Sequence, residues 1–192
     1  YTTSADMKEK GLRSRGFRRL VHAAIEEFVP LVQDPLPAEL LQRLVEAVDR
    51  ASGTPSTGGR IASHAWLART LSALGAFAEG RRHGEEALRL ATLAGREETP
   101  IVAHTNLGLL YLAQGDLEHA IRVLEQGLAL CRASGNRNWL RRTAAGLGYA
   151  YALQGRLAEG RALLEEGIRE GIRTGGLGHH SDRVAWLSEV CR

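Results

Sequence analysis

The chain has 192 residues, of which 44% are hydrophobic and only 5% aromatic: enough apolar matter for a sizeable core, which excludes global disorder, and too few aromatic and β-branched residues for a β-sandwich. A formal net charge of +3 is weak beside the concentrated basic face that phosphate neutralisation requires, so nucleic acid is not an expected partner. No apolar run approaches the roughly 18 residues of a membrane span and no signal-peptide pattern opens the chain, so no membrane partner is expected and the cytoplasm is the expected location.

Taken from the N-terminus, residues 1–16 form a basic segment whose densest run, "KEKGLRSRGFRR" from Lys8 to Arg19, reads as a solvated tail, with an acidic partner as its alternative. Residues 17–52 read as a degenerate helix pair or N-terminal cap. Phe17 to Val32 is one helix and Ala38 to Ala51 the other, with Leu40, Leu41, Leu44, Ala47 and Val48 on one face and Pro30, Pro35 and Pro37 forcing the connection. "SGTPSTGG", Ser52 to Gly59, reads as a flexible connector and places a linker at 53–60.

From residue 61 the chain repeats itself every 40 residues. Leu67, Leu107, Leu147 and Leu187 share one register; Gly75, Gly115 and Gly155 a second; Ala87, Gly127 and Gly167 a third; Leu88, Leu128 and Ile168 a fourth. These registers divide the chain into units at 61–97, 98–137 and 138–177, followed by a terminal helix at 178–192 that carries Val184, Leu187, Val190 and Cys191 behind a Ser181-Asp182 cap. That helix reads as a cap or as the start of a truncated fourth unit, and Trp186 and Leu187, which copy Trp66 and Leu67, favour the second. Tyr1 in place of Met, and an end midway through a repeat, lead us to expect a longer parent protein.

Each unit reads as two helices. In the middle unit Ala103, Leu107, Leu110 and Tyr111 keep to one helical face. Gly115 then ends the first helix, Asp116 caps the second, and Leu117, Ala120, Ile121, Leu124 and Leu128 form the second apolar stripe, with Arg122, Glu125 and Gln126 on its wet side. A hairpin of this kind cannot bury both stripes alone, so neighbouring units must stack. Glycine inside a helix costs about 1 kcal/mol relative to alanine, so its recurrence there needs a reason. Gly108 and Gly148, with Ala68 in the first unit, are expected where the first helix approaches the second. Gly127 and Gly167, with Ala87, are expected where the second approaches the next unit.

"NLGLLYLAQGDLEHAIRVLEQGL", Asn106 to Leu128, resembles a tetratricopeptide repeat (TPR) through Leu107-Gly108, Tyr111, Gly115-Asp116, Ala120 and Gly127. The next unit matches at Leu147-Gly148, Tyr151, Gly155 and Gly167, with Gly160 where the family usually has alanine. The first keeps Leu67, Gly75, Phe77 and Ala87 and departs at Ala68, Leu71, Gly80 and Gly84. The resemblance implies an all-α fold, a right-handed α-solenoid of stacked antiparallel helix pairs, and a non-enzymatic role binding a protein or peptide partner. The family's usual unit is about 34 residues; the surplus here falls in "ALCRASGNRNW", expected to lengthen the second helix and its loop. Units this long resemble the TPR arrays of large bacterial signalling proteins that join the array to an ATPase module and a nucleotide cyclase or a DNA-binding domain.

The residues themselves offer no catalytic constellation. His179-His180 are adjacent and lack a third ligand, while His64, His83, His104 and His119 are scattered over repeat positions, so no metal is expected. Glu85-Glu86 and Glu165-Glu166 point about 100° apart on a helix, which forms no acid–base pair. "GGLG" lacks the strand and the lysine of a phosphate loop, and no cofactor is expected. Cys131 and Cys191 read as buried free thiols. Binding is therefore placed on the concave face, with Arg69, Thr105, Leu109, Leu112, Arg142, Tyr149 and Leu153 as candidate contacts. These would suit an extended or helical peptide with apolar anchors and an acidic group. The asparagine and lysine residues of the family's carboxylate clamp are missing from this face. The alternative is that Leu109, Leu112 and Leu153 pack within the superhelix or against a second copy, making the array a homo-oligomeric scaffold.

Overall fold

The computed structural model describes residues 57–94, 99–174 and 180–191; the expectations for the basic segment 1–16 and the helix pair at 17–52 lie outside the described residues. All regular structure among the described residues is helical: α1 (Thr57–Ala73), α2 (Phe77–Ala94), α3 (Thr99–Gln114), α4 (Leu117–Ser134), α5 (Arg137–Leu153), α6 (Leu157–Arg173) and α7 (His180–Val190). α1–α2, α3–α4 and α5–α6 are hairpins. Each odd-numbered helix also packs on the next odd-numbered one, and each even-numbered helix packs on the odd-numbered helix that follows it. The result is an α-solenoid of stacked helix pairs.

The hairpin turn is a backbone device repeated three times. Ala76, Asp116 and Arg156 each donate their backbone N–H to the carbonyl five residues back, on Leu71, Tyr111 and Tyr151, at 2.9 Å. The residue before each donor is Gly75, Gly115 or Gly155, with φ between +76° and +90°, a conformation that glycine adopts without the Cβ penalty. Because main-chain atoms close the turn, the capping side chain is free to vary. Asp116 accepts from the His119 N–H, whereas Arg156 makes no capping bond; its guanidinium lies over the Tyr151 ring and pairs with Glu159. Burial raises the Asp116 pKa, but the bonds from the His119 ring and N–H together outweigh it and leave the carboxyl below the usual aspartate range.

α1 starts at Thr57, inside the stretch read as a linker at 53–60: the Ser63 hydroxyl donates to the Gly59 carbonyl at 2.9 Å, and the fully buried Ile61 anchors this first turn in the core. The repeat surplus was expected to lengthen both a helix and its loop, yet only Gly135 and Asn136 separate α4 from α5, so the extra residues lengthen helices. Gly135 takes φ +66° and Asn136 caps α5 by accepting from the Trp139 N–H.

The buried apolar residues form two clusters, one around Ile61, Ala87 and Val102 and a larger one running from Ala68 to Tyr151, with the partly buried Leu88 packed against both. Leu107, Leu110, Leu124, Leu147 and Leu164 are all buried, and glycines let the two helices of each hairpin approach: Gly80 lies against Ala68 and Leu71, Gly108 against Leu124, and Gly148 against Gly160. In the third hairpin both members are glycine. A Cβ on Gly148 would stand 2.6 Å from the Gly160 carbonyl oxygen, and one on Gly160 would stand 2.5 Å from that of Gly148, so main chain meets main chain. Two departures of the first unit have a different cause: a Cβ on Gly80 or Gly84 would meet the Leu110 or Leu107 side chain of α3, in the next unit, at 2.8 and 2.6 Å. Gly127 faces His104 of its own unit and Thr143 of the next. Gly167, expected to face the next unit, is instead close to Arg141 and Ala145 of its own α5. Cys131 is buried, but Cys191, expected buried, is exposed: it follows the last residue of α7, and no helix among the described residues packs on that helix beyond α5 and α6.

Candidate functional site

Successive odd-numbered helices pack on one another, and two of the contacts between them repeat one offset. A Cβ on Gly146 would stand 2.6 Å from Leu109 Cδ2, a separation of 37 residues, and the same offset joins Tyr149 to Trp186. Those two rings are parallel within 4°, with centroids 4.9 Å apart, and the Tyr149 hydroxyl donates to Glu189 Oε2 at 2.9 Å. Burial lifts the Tyr149 pKa, the bond to Glu189 and its negative charge lift it further, and the phenol stays a donor.

A second aromatic group joins the middle of α1 to the first turns of α5. Trp66 of α1 and Trp139 of α5 have ring centroids 6.2 Å apart, and the Arg142 guanidinium carbon lies 5.4 Å from the first ring centre and 5.9 Å from the second. Both distances are within cation–π range. The chain has three tryptophans, and all of them, Trp66, Trp139 and Trp186, stand half-buried on odd-numbered helices.

The seven candidate contacts separate into two sets. Thr105 is fully buried, sharing a 2.7 Å hydrogen bond with the Thr143 hydroxyl of the next unit, and Leu109 and Leu112 are buried in the core. Arg69, Arg142 and Tyr149 are half-buried, and Leu153 is exposed. Sequence reasoning missed Trp66, Trp139, Trp186 and Glu189 as parts of this face; the offset of 37 residues, visible as Tyr149 to Trp186, was the signal that could have found the last pair.

It also missed Asn106, the register equivalent of Trp66 and Gly146. Its side chain is fully buried, and neither its amide nitrogen nor its oxygen has a hydrogen-bond partner among the described residues. A buried, unpartnered polar group costs about 1–3 kcal/mol. Asn106→Leu, close to isosteric, is therefore expected to raise the unfolding free energy by roughly 1–2 kcal/mol in urea titration; a loss of stability would show that the amide has a partner.

Other groups are engaged structurally. His64 and His83 are brought together across the first hairpin with their Nδ1 atoms 2.8 Å apart, and no group of three metal-ligating side chains gathers among the described residues. Glu86 pairs with Arg89, Glu165 with Arg161, and Glu166 reaches back to Arg132 of the preceding unit. The Tyr111 and Tyr151 hydroxyls donate to Glu85 and Glu125, one register apart. No described helix is long and apolar enough to cross a membrane.

A tetratricopeptide repeat profile matches the chain twice, over residues 60–133 and 102–169. No curated protein matches it. Two similar solved structures both show the nearly identical TPR-like repeats of a Podosopora anserina protein described as a kinesin light chain. One, a point variant, is 21% identical with a TM-score of 0.58, over 90% of this chain and 84% of that one. The other is 18% identical with a TM-score of 0.53, over 90% and 93%. At such identities the common property is the fold.

Proposed function

The chain belongs to the tetratricopeptide repeat family, and on that premise we propose that it is a non-enzymatic interaction module whose odd-helix face takes up a protein segment bearing apolar anchors and an acidic group. One observation carries the reading: in a chain with few aromatic residues, all three tryptophans, together with Tyr149, Arg69 and Arg142, lie half-buried on the odd-numbered helices. Aromatic and arginine side chains dominate binding hot spots because they offer large rigid area and directional polar contacts. Leu153, 47% exposed at the end of α5, supplies an apolar rim. Proteins of this family bind protein partners and generally act as non-catalytic scaffolds. The long units favour a place as the sensory or regulatory segment of a larger bacterial signalling protein in the cytoplasm.

An array of short peptides combining leucine or phenylalanine with aspartate or glutamate tests the reading. The wild-type chain should select acidic, apolar-anchored peptides, and Tyr149→Ala or Leu153→Asp should weaken capture by about tenfold, the loss typical of one hot-spot truncation. Selection of basic peptides, or capture indifferent to both substitutions, would contradict it.

A second reading, self-association into a structural scaffold, is favoured by the exposed Leu153, Leu157 and Val184 near the C-terminal end of the described stack. Light scattering over a concentration series separates the two: growth in mass with concentration supports association, and a constant monomer mass rejects it.

A further inference from the structure

The 40-residue register continues on both sides of the three hairpins, and on each side it supplies half a unit. The segment 37–51, outside the described residues, carries the second-helix register. Leu44, Ala47, Val48 and Ala51 share the registers of Leu124, Gly127, Leu128 and Cys131, all buried, and Pro37 suits a first helical turn. A paired exchange ties this segment to α1. Tyr111 and Tyr151 donate to Glu85 and Glu125 of the preceding second helix; one unit earlier the same two registers hold Leu71 and Val45, both apolar, and Leu71 is fully buried. The residues before the segment do not keep the first-helix register. Glu27 falls where Leu67, Leu107 and Leu147 are buried, and Phe28 where Ala68, Gly108 and Gly148 are small. Pro35 falls where Gly75, Gly115 and Gly155 take a positive φ that proline cannot reach.

α7 is the converse, a first helix with no second helix packed on it among the described residues. It rests on α5 and α6, and the side that a hairpin partner covers elsewhere is open. Val184 is 46% exposed where Ala144 is fully buried, and Leu187 is half-buried where Leu67, Leu107 and Leu147 are buried. The middle hairpin shows what that side meets in a complete unit. A Cβ on Gly127 would stand 3.1 Å from His104 Cβ, and one on Gly108 would stand 2.5 Å from Leu124 Cγ. In α7 the same registers are held by Val184 and Ser188; in the segment 37–51 their counterparts are Ala47 and Leu44.

We propose that the segment 37–51 of one copy completes the open hairpin of α7 in another, so that arrays join head to tail through a unit built from two chains. The inference deepens the self-association reading above and rests on it. In this arrangement the segment serves α1 of its own chain as α2 serves α3, and serves α7 of the neighbour as α4 serves α3. The solenoid then continues across the junction, and Val184 and Leu187 gain the cover that their counterparts have. Leu40, where the other second helices carry Gly80, Ala120 and Gly160, sets a wider crossing than that of Gly148 on Gly160. Because the two joined surfaces differ, every added copy leaves one of each free, and the assembly grows unless it closes into a ring.

The test uses the whole chain, with circular dichroism confirming helicity in every variant. Wild-type mass in light scattering should rise with concentration. Val184→Asp and Ala47→Asp should each abolish that growth alone. An equimolar mixture of the two should double in mass and go no further, because only one intact junction can form between them. Val184→Cys and Ala47→Cys, each made in a Cys191→Ser chain, give a second measurement that introduces no charge and decides the matter if Ala47→Asp loses helicity. They should cross-link under mild oxidation when mixed and not when kept apart, since the Gly127–His104 spacing puts the equivalent Cβ atoms within disulfide reach. Growth that survives Ala47→Asp, or Val184→Cys chains that link to one another, would overturn this junction and leave self-association to another surface. A mixture of the aspartate variants that stays monomeric would also overturn it. A wild-type chain that stays monomeric at every concentration, with no cross-link in the mixed cysteine chains, would sink the junction and the self-association reading together.

Discussion

Gly148→Ala should destabilise the chain by about 2–3 kcal/mol, although alanine is intrinsically the better helix former by about 1 kcal/mol. A Cβ there would lie 2.6 Å from the Gly160 carbonyl oxygen and 2.9 Å from the Leu164 nitrogen. Both are main-chain atoms of α6, so relief requires the two helices to separate along their crossing, with loss of packing around the fully buried Leu164. Gly127→Ala is the control. Its nearest neighbours would be His104 Cβ at 3.1 Å and Thr143 Cγ2 at 3.3 Å, contacts that yield by tenths of an ångström, and the helical gain from alanine offsets them to within about 1 kcal/mol. Urea unfolding of the two variants beside the wild type measures the difference. Equal losses would mean that the glycines are tolerated rather than required.

The second large effect separates two leucines that the repeat register places on the same face. Leu109→Asp should cost about 4 kcal/mol or more, because it removes a buried leucine and introduces an unpaired carboxylate among apolar groups. Leu109 is 8% exposed and fits against Gly146. Leu153→Asp, at a position 47% exposed, should change stability by no more than about 0.5 kcal/mol and be read only in binding. Set against the 5–15 kcal/mol of a typical domain, the first substitution leaves a marginally folded chain. Thermal and urea melts decide it. If Leu109→Asp melts with the wild type, that side chain faces solvent and the description of the middle unit fails.

Those two leucines also mark how far the sequence was legible. The hairpins, the Gly115–Asp116 turn and the small residues at the helix crossings could be read directly, because each is local or recurs at a fixed spacing, and recurrence survives without knowledge of curvature. The exposure of the odd-helix face could not be read that way. Whether Leu109 is core or surface depends on how tightly successive units close on one another, as its fit against Gly146 of the next unit shows. Asn106 escaped notice although it sits in the most recognisable segment of the chain, because nothing local in the sequence marks its side chain as fully buried. The direction of the Gly167 contact was missed because spacing shows that a close approach exists without naming the helix it faces. Cys191 carries an apolar pattern that suits burial, but burial needs a surface to pack on.

Stacked hairpins that depend on their neighbours make one demand above all, and hydrogen exchange on the native chain, resolved helix by helix, tests it most directly. α3, α4 and α5, packed on both sides, should exchange last, α7 first among the described helices, and Gly148→Ala should speed exchange in α5 and α6 together. Protection in α7 equal to that in α4, or hairpins that open independently of one another, would contradict the account.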